Sequence, residues 1–192
     1  MPRTALYDIE DVLTSAIDVL LEHSFHGAVM DEIIARTDFN RRGFYIEFKD
    51  KRHFLYRVLS HYQQTQLQPI QAQLLAKQGL VSIQSFFNDY INLIEGRGCL
   101  LINSITELGS DDETIKEMGR HYLDGLQIAF IGCLEHAAEH RQLKAGVDIE
   151  SAALQLTCFV QGLAVNAVLT QDSEEMQIAI QSLLAPLLPE AT

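Results

Sequence analysis

The chain has 192 residues, 47% of them hydrophobic, enough to bury a real core in one domain or two small ones. A formal net charge of −12 argues against a molecule that is basic all over and binds polyanions indiscriminately. No apolar run approaches the ~18 residues a membrane span needs, and the start MPRTALYDIEDV has acids where a signal peptide is apolar, so a cytoplasmic protein is expected.

The charge is unevenly spread. Residues 1–62 carry 8 Lys/Arg against 10 Asp/Glu, and residues 63–192 carry 6 against 16. Within 36–57, seven basic residues (Arg36, Arg41, Arg42, Lys49, Lys51, Arg52, Arg57) face only Asp38, Glu47 and Asp50. Phosphate binding needs a local positive face rather than a basic whole. Cys99, Cys133 and Cys158 are odd in number and far apart, with no CxxC. They predict three buried small hydrophobes, with Cys99 as the alternative sensing thiol.

In chain order, Ile9, Val12, Leu13, Ala16, Ile17, Leu20 and Leu21 make a helical stripe over residues 7–23. The stretch 24–27 breaks it, with Phe25 as an anchor. A second helix is expected over 30–36, with Ile33 and Ile34 inward. Thr37-Asp38-Phe39 is a tight turn, and Asn40 is a good N-cap for a short helix over 41–47. Phe44 and Phe48, four apart, pin that helix inward and leave Arg41, Arg42 and Tyr45 outside. Three helices in so short a span, the third basic and polar, describe a helix-turn-helix; the period alone also fits any small bundle.

The stretch VLTSAIDVLLEHSFHGAVMDEIIARTDFNRRGFYIEFKDKRHFLYRVL resembles the N-terminal domain of the TetR/AcrR family of bacterial transcription regulators. Phe25, Ile33, Phe39, Tyr45, Phe48, Lys51 and Leu55 fall in register with the family pattern. Four features depart from it: the first Gly is Ser24, the Thr-Ser pair is Ala28-Val29, the turn Gly is Asp38, and Lys-Gly-Thr is Arg41-Arg42-Gly43. The resemblance implies that the helix from Asn40 to Glu47 reads DNA, with Asn40 and Gly43 among its DNA-binding residues. Arg41 and Arg42 are expected on base edges, and Tyr45 and Lys51 on phosphates.

Asp50 caps a long run over 51–77, which Pro69 should kink or break. A domain boundary is expected near residue 55, inside that helix: 1–55 binds DNA, and 56–192 binds an effector and dimerises. Residues 80–95 form an amphipathic helix, and Gly96-Arg97-Gly98 a turn. The segment 98–108, GCLLINSITEL, carries Asn103 and Glu107 four apart; they predict either helix-end and inter-helix hydrogen bonds or a polar pair lining a cavity. Its GCL-L-x-N-x-x-x-E pattern also recurs in a branch of the same family. Ser110 with Glu113 reads as a capping box for a helix to about His140.

His136 and His140 formally match HxxEH, but a solvated helix end explains them better than a metal site. Asp148 starts a helix in which Ile149, Leu156 and Leu163 step by seven, with Ala152, Ala153, Gly162 and Ala164 allowing close approach. Ser173 starts the last helix, which Pro186 and Pro189 close. Two terminal apolar helices predict an isologous dimer through a four-helix bundle, the alternative being that they complete the monomer core.

The expected fold is all-α: a three-helix DNA-binding unit joined through a long helix to a helical ligand-binding and dimerisation body. The expected function is a ligand-responsive regulator, most simply a repressor, on a near-palindromic DNA operator, with no cofactor. Phe86, Tyr90, Cys99, Asn103, Glu107, Tyr122, Phe130 and Phe159 are the candidates for binding a small apolar or aromatic effector, each alternatively plain core. The competing functions are a helical interaction protein that lost specific DNA binding, and a zinc hydrolase using His136 and His140.

Overall fold

Ile9–Gly27 forms α1, Met30–Arg36 α2 and Arg41–Phe48 α3, one long and two short helices folded over a shared apolar centre. This computed structural model describes residues 8–37, 39, 41–76, 79–170 and 172–189. The expectations placed on Asp38 and Asn40 fall outside the described residues. Asp8 caps α1 through Glu10 N–H, and Val12, Leu13, Ala16, Ile17 and Leu20 turn inward as their spacing requires. The break expected after residue 23 is present: Ser24 leaves the helix at φ 57°, ψ −179°, before a last turn to Gly27.

The long run after Asp50 is three pieces. Lys51–Tyr62 (α4) is α-helical, Gln63–Leu67 widens to a π-turn, and Gln68–Leu75 (α5) resumes. Pro69 sits in the first turn of α5. Its ring crowds the carbonyl four residues back and it lacks an N–H, so the helix absorbs the misfit with one looser turn upstream.

Leu80–Ile94 (α6), Leu100–Leu108 (α7), Glu113–Glu139 (α8), Ile149–Leu169 (α9) and Ser173–Leu184 (α10) complete the chain, with a 3₁₀ turn over Ala185–Leu187. Every regular element among the described residues is helical. Helix α8 packs on α9, α7 and α5, while α1 packs on both α4 and α7. Buried side chains from the first three helices onward form one continuous core.

Several expectations need correction. The cap of α8 is Asp112, whose carboxylate accepts from Ile115 N–H, rather than Ser110. Cys158 is exposed, although Cys99 and Cys133 are buried. Helix α9 is, by length and composition alone, apolar enough to cross a membrane; beyond Glu150 in its first turn its polar residues are uncharged and interspersed, so no contiguous apolar run marks it. Leu156, Leu163, Ala152, Ala153 and Ala164 of α9 are buried within the chain, so the seven-residue repeat serves the monomer core. The apolar stripe left outside is a different one.

Candidate functional site

Helix α3 is held by its aromatic residues. Phe44 and Phe48 are buried, with ring centroids 5.1 Å apart, and each lies 4.8 Å from Phe54 of α4. Phe39 closes the cluster, 6.2 Å from Phe44. Eight residues are too few to hold a helix in water without such packing. The same geometry turns Arg41, Arg42 and Tyr45 outward, and leaves Gly43 half-buried. Arg41 pairs with Asp31 of α2, both groups exposed, a contact weak enough to exchange for another anion.

Two residues depart from the expected roles. Ile46 was not anticipated, yet it is 74% exposed on α3. Its signal was its position: next to Tyr45 and off the Phe44–Phe48 face. Lys51, expected to reach a phosphate, is turned inward. Its ammonium donates to the Phe25 carbonyl and lies 4.5 Å from the centroid of the Phe25 ring. Desolvation holds its pKa below the usual lysine value.

The aromatic effector candidates fall into two groups. Phe86, Phe87 and Phe130 pack with centroids 5.4 to 5.9 Å apart, and Phe159 meets Phe87 edge-on. Tyr90 stacks on Phe86 and leads to the second group, around Cys99. There the Tyr62 hydroxyl meets the Cys99 sulfur at 3.7 Å. Tyr90 and Tyr122 have buried hydroxyls with no hydrogen-bond partner, although Tyr90 lies close enough to the sulfur to affect its titration. Burial pushes the Cys99 thiol up, and the hydroxyls of Tyr62, Tyr90 and Tyr122 rise for the same reason. Tyr62 was missed in the sequence because it reads as one more member of the α4 stripe.

Asn103 and Glu107 share a face of α7, but that face looks at α1 and not at the aromatic interior. Asn103 donates to the Arg97 carbonyl at 3.2 Å. The Glu107 carboxylate accepts the Phe25 and His26 backbone N–H groups, each at 2.8 Å, and lies 2.6 Å from His26 Nδ1. The break at Ser24 frees those N–H groups, and Glu107 supplies their acceptor. Both expected readings have a counterpart in the structure: the hydrogen bonds are made, and Asn103 and Glu107 also line an open groove of about 440 Å³ with Ser24, Arg97 and Val168. Burial opposes ionisation of Glu107, but the backbone N–H groups of His26 and Phe25 and the His26 ring hold its carboxyl below the usual value.

A second carboxylate joins the same two parts of the molecule. Asp112, its side chain 2% exposed, accepts from Tyr56 Oη at 2.8 Å and faces Arg52 Nη1 at 2.9 Å while capping α8. Arg97 pairs with Asp18 at 2.6 Å. A polar seam therefore binds α1 and α4 to the turn before α7 and to the α7–α8 elbow. The sequence offered no pairing signal for it, since the partners are 56 to 82 residues apart.

Helix α9 presents Leu154, Cys158, Val165 and Leu169 on one exposed stripe, flanked by Val168, with Ile178 exposed on α10. Beside it Phe159, Gly162, Ile102 and Ile105 line an open groove of about 570 Å³. At the end of α8 the His136 and His140 rings stack at 4.0 Å, and His140 Nδ1 lies 2.8 Å from the His136 carbonyl oxygen. Among the described residues no group of three His, Cys, Asp or Glu is placed to hold a metal ion.

Residues 79–183, more than half of the chain, match the family model described as the tetracyclin repressor-like C-terminal domain. No curated protein sequence matches the chain. Among solved structures the chain is similar to the TetR-family transcriptional regulator CifR, in a cysteine-substituted form complexed with 26-base-pair operator DNA (TM-score 0.83, 17% identity, 96% of this chain and 99% of that one). It is also similar to the regulatory protein TetR from Rhodobacter sphaeroides (0.81, 17%, 94% and 98%) and to the reduced form of E. coli NemR (0.78, 18%, 95% and 98%). An exposed basic helix pinned by phenylalanines, a helical body behind it and a match to the family's C-terminal domain lead to one conclusion: the chain belongs to the TetR family of ligand-responsive, DNA-binding transcriptional regulators.

Proposed function

We propose that this regulator is a homodimeric, cytoplasmic repressor without catalytic activity, released from a near-palindromic operator by a small apolar or aromatic effector. The observation that carries the DNA end of this reading is the outward display of Arg41, Arg42 and Tyr45 by a helix whose opposite face is buried. Each copy places α3 in a major groove, with the two helices about 34 Å apart or somewhat more. Arg41 and Arg42 read base edges, each bidentate contact to guanine discriminating by ~1–3 kcal/mol. Ile46 adds an apolar contact of the kind that reads a thymine methyl. Tyr45 takes a phosphate, and Lys51 does so only if it leaves the Phe25 carbonyl. DNA at the α3 face would meet a basic patch, while the acidic remainder repels it from other faces.

The boundary between DNA-binding unit and body is placed near residue 55, within α4. Phe54 belongs to the α3 cluster, and Tyr62, two turns on, touches Cys99. The exposed stripe of Leu154, Cys158, Val165 and Leu169 is the dimer face, which accounts for an α9 too apolar for a solvated helix. An effector shifts the dimer toward a spacing that no longer fits the operator, by its differential affinity for the two states.

Salt-dependent binding to the DNA upstream of the protein's own gene tests this reading. Wild-type protein is expected to prefer that DNA over random sequence, and Arg41→Ala to lose preference more than affinity. Equal binding of wild type to both sinks the reading. Val165→Asp is expected to give a monomer at micromolar concentration in sedimentation, with alkylation of Cys158 accelerated; a wild-type monomer refutes the dimer face.

A further inference from the structure

The body contains a buried polar cluster that no described residue completes. Tyr90 and Tyr122 hold buried hydroxyls, 0% and 5% exposed as residues; among the described residues neither makes a hydrogen bond of ordinary geometry, and Tyr90 Oη lies beside the weakly accepting Cys99 sulfur. Leaving a buried hydroxyl unpaired costs free energy, and folded proteins tolerate few such groups. Tyr62 and Cys99 complete the ring, with Tyr62 already donating to the sulfur. The phenylalanine cluster beyond Tyr90 supplies an apolar wall.

Tyr122 is the member of this ring nearest a surface cleft. It lines that cleft, of about 230 Å³, together with Ser60, Gln63, Gln64, Gln71 and His121. The π-turn at Gln63–Leu67 forms one side of that cleft, the loosest stretch of the α4–α5 rod. Among the described residues lining it there is no lysine, arginine or carboxylate.

We propose that the two unpartnered hydroxyls are the effector's recognition point, and that it takes a neutral compound with an oxygen acceptor, such as a carbonyl or ether, on a small aromatic or apolar frame. The proposal rests on the ligand-responsive reading above and names the ligand class. Two O–H donors without partners call for an acceptor. A charged ligand would lose its hydration with no counter-ion in the ring, which disfavours carboxylates and amines. The glutamine-lined cleft is the entrance, and binding is noncovalent: the thiol is a wall of the site, and its burial keeps it protonated.

Three shape-matched probes test this on the full-length dimer: acetophenone, isopropylbenzene and benzoate, titrated against tyrosine-labelled protein by NMR. Acetophenone is expected to move the Tyr90 and Tyr122 resonances and to bind about tenfold or more tighter than isopropylbenzene. Tyr122→Phe should erase that preference while binding isopropylbenzene normally, and intact-mass spectrometry should show no adduct on the protein. The ligand-free Tm of Tyr122→Phe should equal or exceed that of wild type, because no existing hydrogen bond is lost. Equal binding of acetophenone and isopropylbenzene, tightest binding of benzoate, a covalent adduct, no tyrosine response at all, or a Tm drop of several degrees in Tyr122→Phe each overturns the proposal. DNA release is measured separately with the upstream fragment. If acetophenone binds the tyrosines but leaves DNA binding intact, the regulatory coupling fails and the site stands.

Discussion

Two aromatic clusters sit at opposite ends of α4, and they differ in one chemical respect. Phe39, Phe44, Phe48 and Phe54 carry no polar atom, so packing alone satisfies them. Tyr62, Tyr90 and Tyr122 have similar bulk and burial, but among the described residues two of their three hydroxyls make no hydrogen bond of ordinary geometry. The first cluster is finished by folding and fixes the reading helix in one pose. The second is unfinished by folding, and a molecule that finishes it gains free energy. The difference separates the part that must be rigid from the part that must respond.

The largest effect that can break this contrast is in the phenylalanine cluster. Phe44→Ala removes a fully buried ring packed against four others, and should cost about 3–5 kcal/mol. Loss of α3 is expected in the head while the body retains its helices, read by hydrogen exchange together with loss of DNA binding. An Ala variant with near wild-type stability would mean that the cluster does not set the pose of α3.

The next effect, smaller, is at the seam joining the two regions. Glu107→Gln keeps one acceptor oxygen for α1 but loses the charge, and should cost on the order of 1–2 kcal/mol near pH 6. The sign of its pH dependence follows from the lowered carboxyl in the folded protein. The wild-type contribution is fully present above the ordinary glutamate value of 4.5 and is lost as pH falls through the lower folded value. The gap between wild type and variant, measured by urea denaturation from pH 6 to pH 3, is therefore expected to narrow toward acid. A constant gap would remove the ionised carboxylate from the account of the seam.

What the sequence disclosed follows the range of the interactions. Helical stripes in α1, α6 and α8, the Asp50 and Asp148 caps, and the inward Phe44–Phe48 pair depend on neighbours within four residues, and these were legible. Where two local solutions competed, distant contacts chose. Asp112 caps α8 because the same carboxylate also binds Arg52 and Tyr56, which Ser110 gives no sign of doing. Glu107 was visible as a polar residue on an apolar helix, but its partners lie 81 and 82 residues away. The seven-residue repeat of α9 was real and still pointed to the wrong surface, because the exposed stripe of Leu154, Cys158, Val165 and Leu169 carries an equally regular spacing. The orphan hydroxyls were illegible in principle, since a missing partner has no sequence signature.

The smallest effect lies at Ser24, directly beside the seam, where the family pattern has glycine. Its φ of 57° with ψ of −179° falls in a region that L residues rarely enter, at a cost of order 1–3 kcal/mol. The fold holds it there because Glu107 binds the next two N–H groups and Lys51 the Phe25 carbonyl. Ser24→Gly relieves the strain but makes the unfolded chain more flexible, so the net gain should be about 1 kcal/mol. Thermal unfolding checks the sign. The informative combination is with Glu107→Gln: a relaxed turn has less need of the carboxylate, so the double variant should lose less than the sum of the two single effects predicts. Strict additivity would mean that Ser24 and Glu107 act independently, and that the seam does not brace the strained turn.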